Sequence, residues 1–174
     1  MLFTGSYRRA LDDKLRLAIP RPLRERLPVD RRLYLTTGLD GCLAAYPEPA
    51  FAALAERLAA ASPAAREVRD YSRLFYSHAT CVVPDRQWRV RVPLELAQWA
   101  GLDGEVMVVG VRDHLEIWLY AKWQEYVARR DPQYDALAEL ALVAGLRAGG
   151  EPSVTVSAVP APTPAAADAP SRPR

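Results

Sequence analysis

The chain has 174 residues, enough for one domain or two small ones, and half of them are apolar, enough for a core. A formal net charge of +2 excludes a protein that is basic throughout, and no run reaches the roughly 18 apolar residues of a membrane-spanning helix. Cys42 and Cys81 are the only cysteines and no His stands at metal-ligand spacing, so no metal or cofactor is expected and the thiols read as small buried side chains in a reducing compartment.

The N-terminus, Met1-Leu2-Phe3-Thr4-Gly5, lacks the pattern of a secretory signal, which places the protein in the cytoplasm. Residues 15–19 alternate and stop at Pro20, as a short strand does. Pro20 and Pro22 then open a short helix over 22–26. Residues 32–37 are a second strand, 38–41 a turn with two glycines, and 42–46 a third strand that ends at Pro47. Phe51, Leu54, Ala55 and Leu58 recur at helical spacing, which predicts an amphipathic helix over 48–61. Ser62-Pro63 breaks it, and a connecting helix follows over 64–77 with Val68, Tyr71, Leu74 and Phe75 on one face.

The same order then returns. Residues 88–92 are a strand closed by Pro93, 94–99 a short helix, 105–109 a strand, 110–113 a turn and 114–118 a closing strand. Helices are expected over 121–130 and 133–148. Residues 149–174 hold little but Pro, Ala, Ser and Thr and read as a disordered tail, unable to bury enough surface to offset their ordering entropy. The domain plan is a first repeat at 1–62, a connecting helix at 63–77, a second repeat at 78–131, a helix at 132–148 and the tail.

The repeat is visible residue by residue. Asp12 and Asp85, Arg16 and Arg89, and Pro20 and Pro93 each differ by 73 in number. Such a period, seen twice, marks a duplicated small module and not a solenoid. Each copy offers one Arg beside a turn. Either Arg alone reads as a surface ion pair of little worth. As a pair on a pseudo-symmetric body they suit a partner that itself repeats. Between Arg8 and Arg32 nine Lys or Arg face four Asp or Glu, a local basic field that steers polyanions or simply solvates a surface. His78 and His114 read as isolated structural residues. Tyr34, Tyr46, Trp118 and Trp123 read as core or interface. No nucleophile elbow or Gly-rich phosphate loop is present, so no enzymatic activity is expected.

Phe3-x-Gly5, Leu11-Asp12-x-Lys14-x-Arg16-Leu17-x-Ile19-Pro20, Gly38-Leu39-Asp40-Gly41-Cys42-Leu43 and Tyr46-Pro47 occur in order in the first half. Gly101-Leu102-x-x-Glu105-Val106, Val109-Gly110 and Glu116-Ile117-Trp118 follow in the second. Across about residues 1–130 the chain resembles the MraZ family. The resemblance implies an α+β fold of two β-rich AbrB/SpoVT-like swapped-hairpin modules with flanking helices, together a pseudo-symmetric double-hairpin barrel. It implies a closed homo-oligomeric ring and no membrane partner. It implies a nucleoid-associated transcriptional regulator, commonly a repressor, that binds double-stranded DNA at short direct repeats upstream of the division and cell wall gene cluster.

The family's hallmark is an Asp-x-x-x-Arg motif in each repeat whose Arg contacts DNA. By position this assigns Arg16 and Arg89 to DNA, with Asp12 and Asp85 as supports. Lys14 matches the basic position inside the first motif; the second has Gln87 there and Arg86 one residue earlier. Arg suits guanine edges or phosphate, Lys phosphate, while a carboxylate is repelled by DNA and is better used on turn amides or on the Arg itself. The family usually has Gly before the motif Arg, where this chain has Leu15 and Trp88. A side chain in the left-handed region costs about 1–2 kcal/mol. The expectation is therefore a remodelled turn, or a position that never needed positive φ. The other reading of the chain is a ring-forming scaffold that has lost specific DNA binding through these two changes. With the positive charge gathered around Lys14, the first copy is expected to supply more of the DNA affinity.

Overall fold

Alternating apolar segments fold as strands, and the prolines end them. The computed structural model describes residues 2–61 and 64–148. The chain divides into two units, Met1–Pro132 and Gln133–Arg174. The expected break at Ser62-Pro63 and the expected tail lie outside the described residues.

In the first unit β1 (Ser6–Ala10), β2 (Arg16–Ala18), α1 (Arg21–Arg24), β3 (Leu33–Thr37), β4 (Leu43–Pro47), α2 (Glu48–Ala60) and α3 (Arg66–His78) come first. They are followed by β5 (Thr80–Val82), β6 (Arg89–Arg91), α4 (Leu94–Ala100), β7 (Glu105–Val111), β8 (His114–Leu119) and α5 (Tyr120–Arg130). The second unit contributes α6 (Tyr134–Ala148). No helix among the described residues is long and apolar enough to cross a membrane.

The strands form a six-stranded antiparallel sheet, β1-β7-β8-β4-β3-β5, and a two-stranded ribbon of β2 and β6. A mixed α+β architecture is therefore established, with no closed barrel among the strands of the described residues. The two repeats exchange their first strands. β1 of the first repeat pairs with β7 of the second, and β5 of the second pairs with β3 of the first. The central hairpins meet at β4 and β8, with Ala44 opposite Glu116. One hydrophobic cluster underlies sheet and ribbon alike and includes Phe3, Leu17, Leu23, Leu35, Leu43, Val90, Val92, Val106 and Ile117. α2 and α3 cover part of the sheet through a stack of Tyr34, Phe51 and Phe75. The Thr36 hydroxyl donates to the Phe75 carbonyl at 2.9 Å, which ties α3 to β3.

Sequence periodicity missed β1 and β5. Both are edge strands, and β1 alternates only in half-buried positions, so neither has a fully buried stripe. Gly110 does not open a turn as expected but lies inside β7. A Cβ there would meet the Thr4 nitrogen at 2.5 Å, because the N-terminal segment runs against it. That segment is anchored by backbone bonds between Phe3 and Arg112 and from Gly110 to Gly5. Glycine is needed at 110 for close approach. Of the two thiols, Cys42 is buried and Cys81 is exposed on β5, against the expectation that both are buried. Burial pushes the Cys42 thiol up to about 12. His114 is not isolated: it stacks on Tyr46 at 4.6 Å and its Nδ1 lies 2.9 Å from Asp113.

Candidate nucleic-acid interface

β2 and β6 are the equivalent strands of the two repeats, and they pair with each other. Leu17 lies opposite Val90, its own counterpart, with Arg16 opposite Arg91 and Ala18 opposite Arg89. Ile19 N–H donates to Trp88 at 2.8 Å and Val92 N–H to Leu15 at 2.8 Å, so the flanking bonds are twins as well. A pseudo-two-fold axis therefore passes through the Leu17–Val90 pair. Successive side chains of a strand point to opposite faces. Leu17 and Val90 go inward, each 2 % exposed. Arg16, Arg89 and Arg91 stand on the outer face.

The turn leading into each strand is built alike. The Asp12 amide donates to the Arg16 carbonyl at 3.1 Å, and the Asp12 carbonyl accepts the Leu15 amide at 2.9 Å. Its Oδ1 takes the amides of Lys14 and Arg16 at 2.9 and 2.8 Å, and its Oδ2 takes Arg16 Nε at 2.7 Å. Asp85 repeats this with Gln87 at 2.8 Å, Arg89 N at 3.0 Å and Arg89 Nε at 2.9 Å. The backbone amide of Arg16, against burial, and then its guanidinium hold the Asp12 carboxyl below its usual range. The amide and guanidinium of Arg89 do the same for Asp85. The carboxylates thus both close the turns and fix each guanidinium. Exposed pairs of this kind add little stability, so the larger effect is to hold two Arg side chains in one orientation.

Leu15 has φ 56° and Trp88 φ 60°. Both positions have positive φ, against the expectation of a position that never needed it. A turn followed by a left-handed residue is a normal hairpin connection, and here non-glycine residues occupy it. The strain of about 1–2 kcal/mol at each is offset by the Asp hydrogen bonds and by packing. Leu15 packs on the core cluster. Trp88 lies under the Arg31 guanidinium, 4.2 Å from ring centroid to Cζ, with Arg24 at 5.5 Å. Within the chain its ring makes cation–π contacts with these two guanidiniums.

Residues 2–74 and 75–143 each match the family model described as "MraZ protein, putative antitoxin-like". The chain is 41 % identical to the transcriptional regulator MraZ of Moorella thermoacetica over 138 residues, 79 % of this chain and 95 % of that protein. It is 37 % identical to the transcriptional regulator MraZ of Kocuria rhizophila and 38 % identical to that of Parafrankia sp., with the same coverage of both chains. The chain belongs to the MraZ family. These MraZ relatives are named as regulators and not as enzymes.

The structure brings Arg16 and Arg89 onto one ribbon and places Lys14 and Arg86 at the exposed tips of its turns. Asp12 and Asp85 sit behind the two Arg residues. Arg91 was missed by the motif, which ends at Arg89. Strand alternation was the available signal, since 89 and 91 share a face. Its counterpart in the first repeat is Ala18, so the MraZ ribbon of this chain is basic but not symmetric. Like charges directly opposite, as Arg16 and Arg91 are, are unfavourable unless something anionic covers them. A shallow cavity of about 390 Å³ is lined by Asp13, Lys14, Leu15, Arg16, Arg91 and Leu94.

Proposed function

We infer that this chain is a sequence-specific double-stranded DNA-binding transcriptional regulator that represses the division and cell wall gene cluster. It acts in the cytoplasm at the nucleoid and binds short direct repeats upstream of its own operon as a closed homo-oligomeric ring. The observation that carries this reading is the ribbon: equivalent strands paired about a pseudo-two-fold axis, with Arg16, Arg89 and Arg91 outward and two Asp residues orienting the motif arginines. Arg16 and Arg89 take base edges, each good pairing contributing about 1–3 kcal/mol. Lys14 and Arg86 take phosphates, which position the protein without specifying sequence. The regulator names of the relatives point the same way.

The repeats at 1–62 and 78–131, joined by the helix at 63–77 and followed by the helix at 132–148, make the pseudo-symmetric double-hairpin barrel in this reading. The exchanged first strands support it. Exposed Leu39, Tyr71 and Leu74 offer apolar surface for neighbouring subunits of the ring. The scaffold reading drew on the loss of glycine at 15 and 88, and the retained positive φ weakens its premise.

A mobility-shift assay with DNA from upstream of the chain's own gene tests the function. Binding that exceeds scrambled DNA and weakens with salt is expected. Equal affinity for both duplexes favours the scaffold.

A further inference from the structure

We propose that Trp88, Arg31 and Arg24 form a phosphate-binding platform beside the second turn, which makes that turn the stronger grip on the DNA backbone. The inference rests on the reading of the chain as a DNA-binding regulator and adds residues outside its repeated motif.

The Trp88 ring holds two guanidiniums, Arg31 at 4.2 Å and Arg24 at 5.5 Å. Aromatic faces attract and orient such cations without consuming their hydrogen-bond donors. Among the described residues neither Arg has a carboxylate within ion-pair distance. Arg31 is exposed and Arg24 half-buried, so their donor forks remain available to an anion of phosphate geometry. Both come from the first repeat yet sit against the second motif, because the ribbon pairs the repeats strand to strand.

The opposite side of the axis is mixed in charge. Leu15 replaces Trp88 there and turns into the core. Asp103 stands two residues before β7 as Arg31 stands two residues before β3. One cavity beside the first turn is lined by Asp12, Asp13, Leu15 and Asp103. The first turn therefore faces Asp12, Asp13 and Asp103 on one side and Lys14, Arg16 and Arg91 on the other, while the second gathers Arg24 and Arg31 over the Trp88 ring. An anionic backbone is drawn to the second side, which also carries Arg86 and Arg89. The platform argues against the expectation that the first copy supplies more of the DNA affinity.

The test measures affinity against salt for the full chain on two duplexes, one from upstream of its own gene and one scrambled. Trp88→Gly suits the turn, since glycine accepts φ 60°. Arg31→Ala and Trp88→Gly should each weaken both duplexes by a similar factor. Each should lower the slope of log affinity against log salt by about one for every phosphate no longer neutralised. Trp88→Phe should restore part of the loss. In an Arg24→Ala/Arg31→Ala background, Trp88→Gly should add little. Unchanged slopes with wild-type discrimination between duplexes overturn the platform and leave the regulator reading standing. Lowered slopes with no discrimination in the wild type leave the platform and overturn the regulator. No binding to either duplex overturns both.

Discussion

Asp12 and Asp85 carry two tasks that a conservative change separates. Asparagine keeps an oxygen for the turn amides but gives up the charge that holds Arg16 or Arg89. Asp12→Asn and Asp85→Asn should fold normally. They should bind scrambled DNA more tightly, because a repelling carboxylate is gone, and discriminate less, because the Arg is no longer fixed. Competition binding with the two duplexes reads both effects. The same carboxyls set an acid limit. Their folded values lie below the unfolded value of about 3.9, so their contribution is present above that pH and is lost as pH falls through the lower folded values. Denaturant midpoints between about pH 4 and pH 2 should fall less steeply in the double Asn variant than in the wild type. His114 acts in the opposite sense. Burial opposes its charge, but the nearby Glu116 carboxylate, 3.7 Å from Nε2, and the hydrogen bond with Asp113 outweigh burial and raise its value. Its contribution is present below about pH 6.5 and fades as pH rises through the higher folded value. Wild-type stability should decline across that window, and His114→Gln should flatten the decline.

At the level of elements, the ribbon is the joint of the molecule. Leu17 and Val90 are the inward residues on its axis. Leu17→Ala should cost about 2–5 kcal/mol in chemical denaturation. The exchange Leu17→Val with Val90→Leu keeps the volume across the axis and should cost less than about 1.5 kcal/mol. A cost near that of Leu17→Ala would show that the two positions are not interchangeable. The strands with a buried stripe, β3, β4, β7 and β8, were legible because apolar residues alternate between prolines and turns. The edge strands were not, since β1 and β5 owe their pairing to the other repeat and not to their own pattern. The twin turns were legible as a spacing of Asp and Arg. Their left-handed residues were not, because strain at Leu15 and Trp88 is relieved by partners elsewhere in the chain. Arg91 was open to view through alternation, whereas the meeting of Arg31 with Trp88 needed the fold. Gly110 is the reverse case: its constraint comes from Phe3 and Thr4 passing over it. Gly110→Ala should lower the thermal midpoint and loosen the N-terminal segment, seen as faster amide exchange at Phe3 and Arg112.

Across the whole molecule, duplication turns one weak grip into a pair, and the proposed ring would multiply the pair. Linked sites gain affinity through effective concentration when their spacing matches the target. Tandem boxes should therefore bind far better than one. The two halves are not equal, since Arg24 and Arg31 stack on Trp88 at the second turn while Arg91 lies opposite Arg16 near the first. The central claim is that Arg16 and Arg89 read sequence from the ribbon. The most direct measurement is the ratio of affinities for upstream and scrambled duplexes in the wild type, Arg16→Ala and Arg89→Ala. Each substitution should lower that ratio, by about 1–3 kcal/mol for every base edge no longer read. A ratio unchanged in both variants, with binding weakened equally on the two duplexes, would contradict the claim and leave these arginines as phosphate ligands alone.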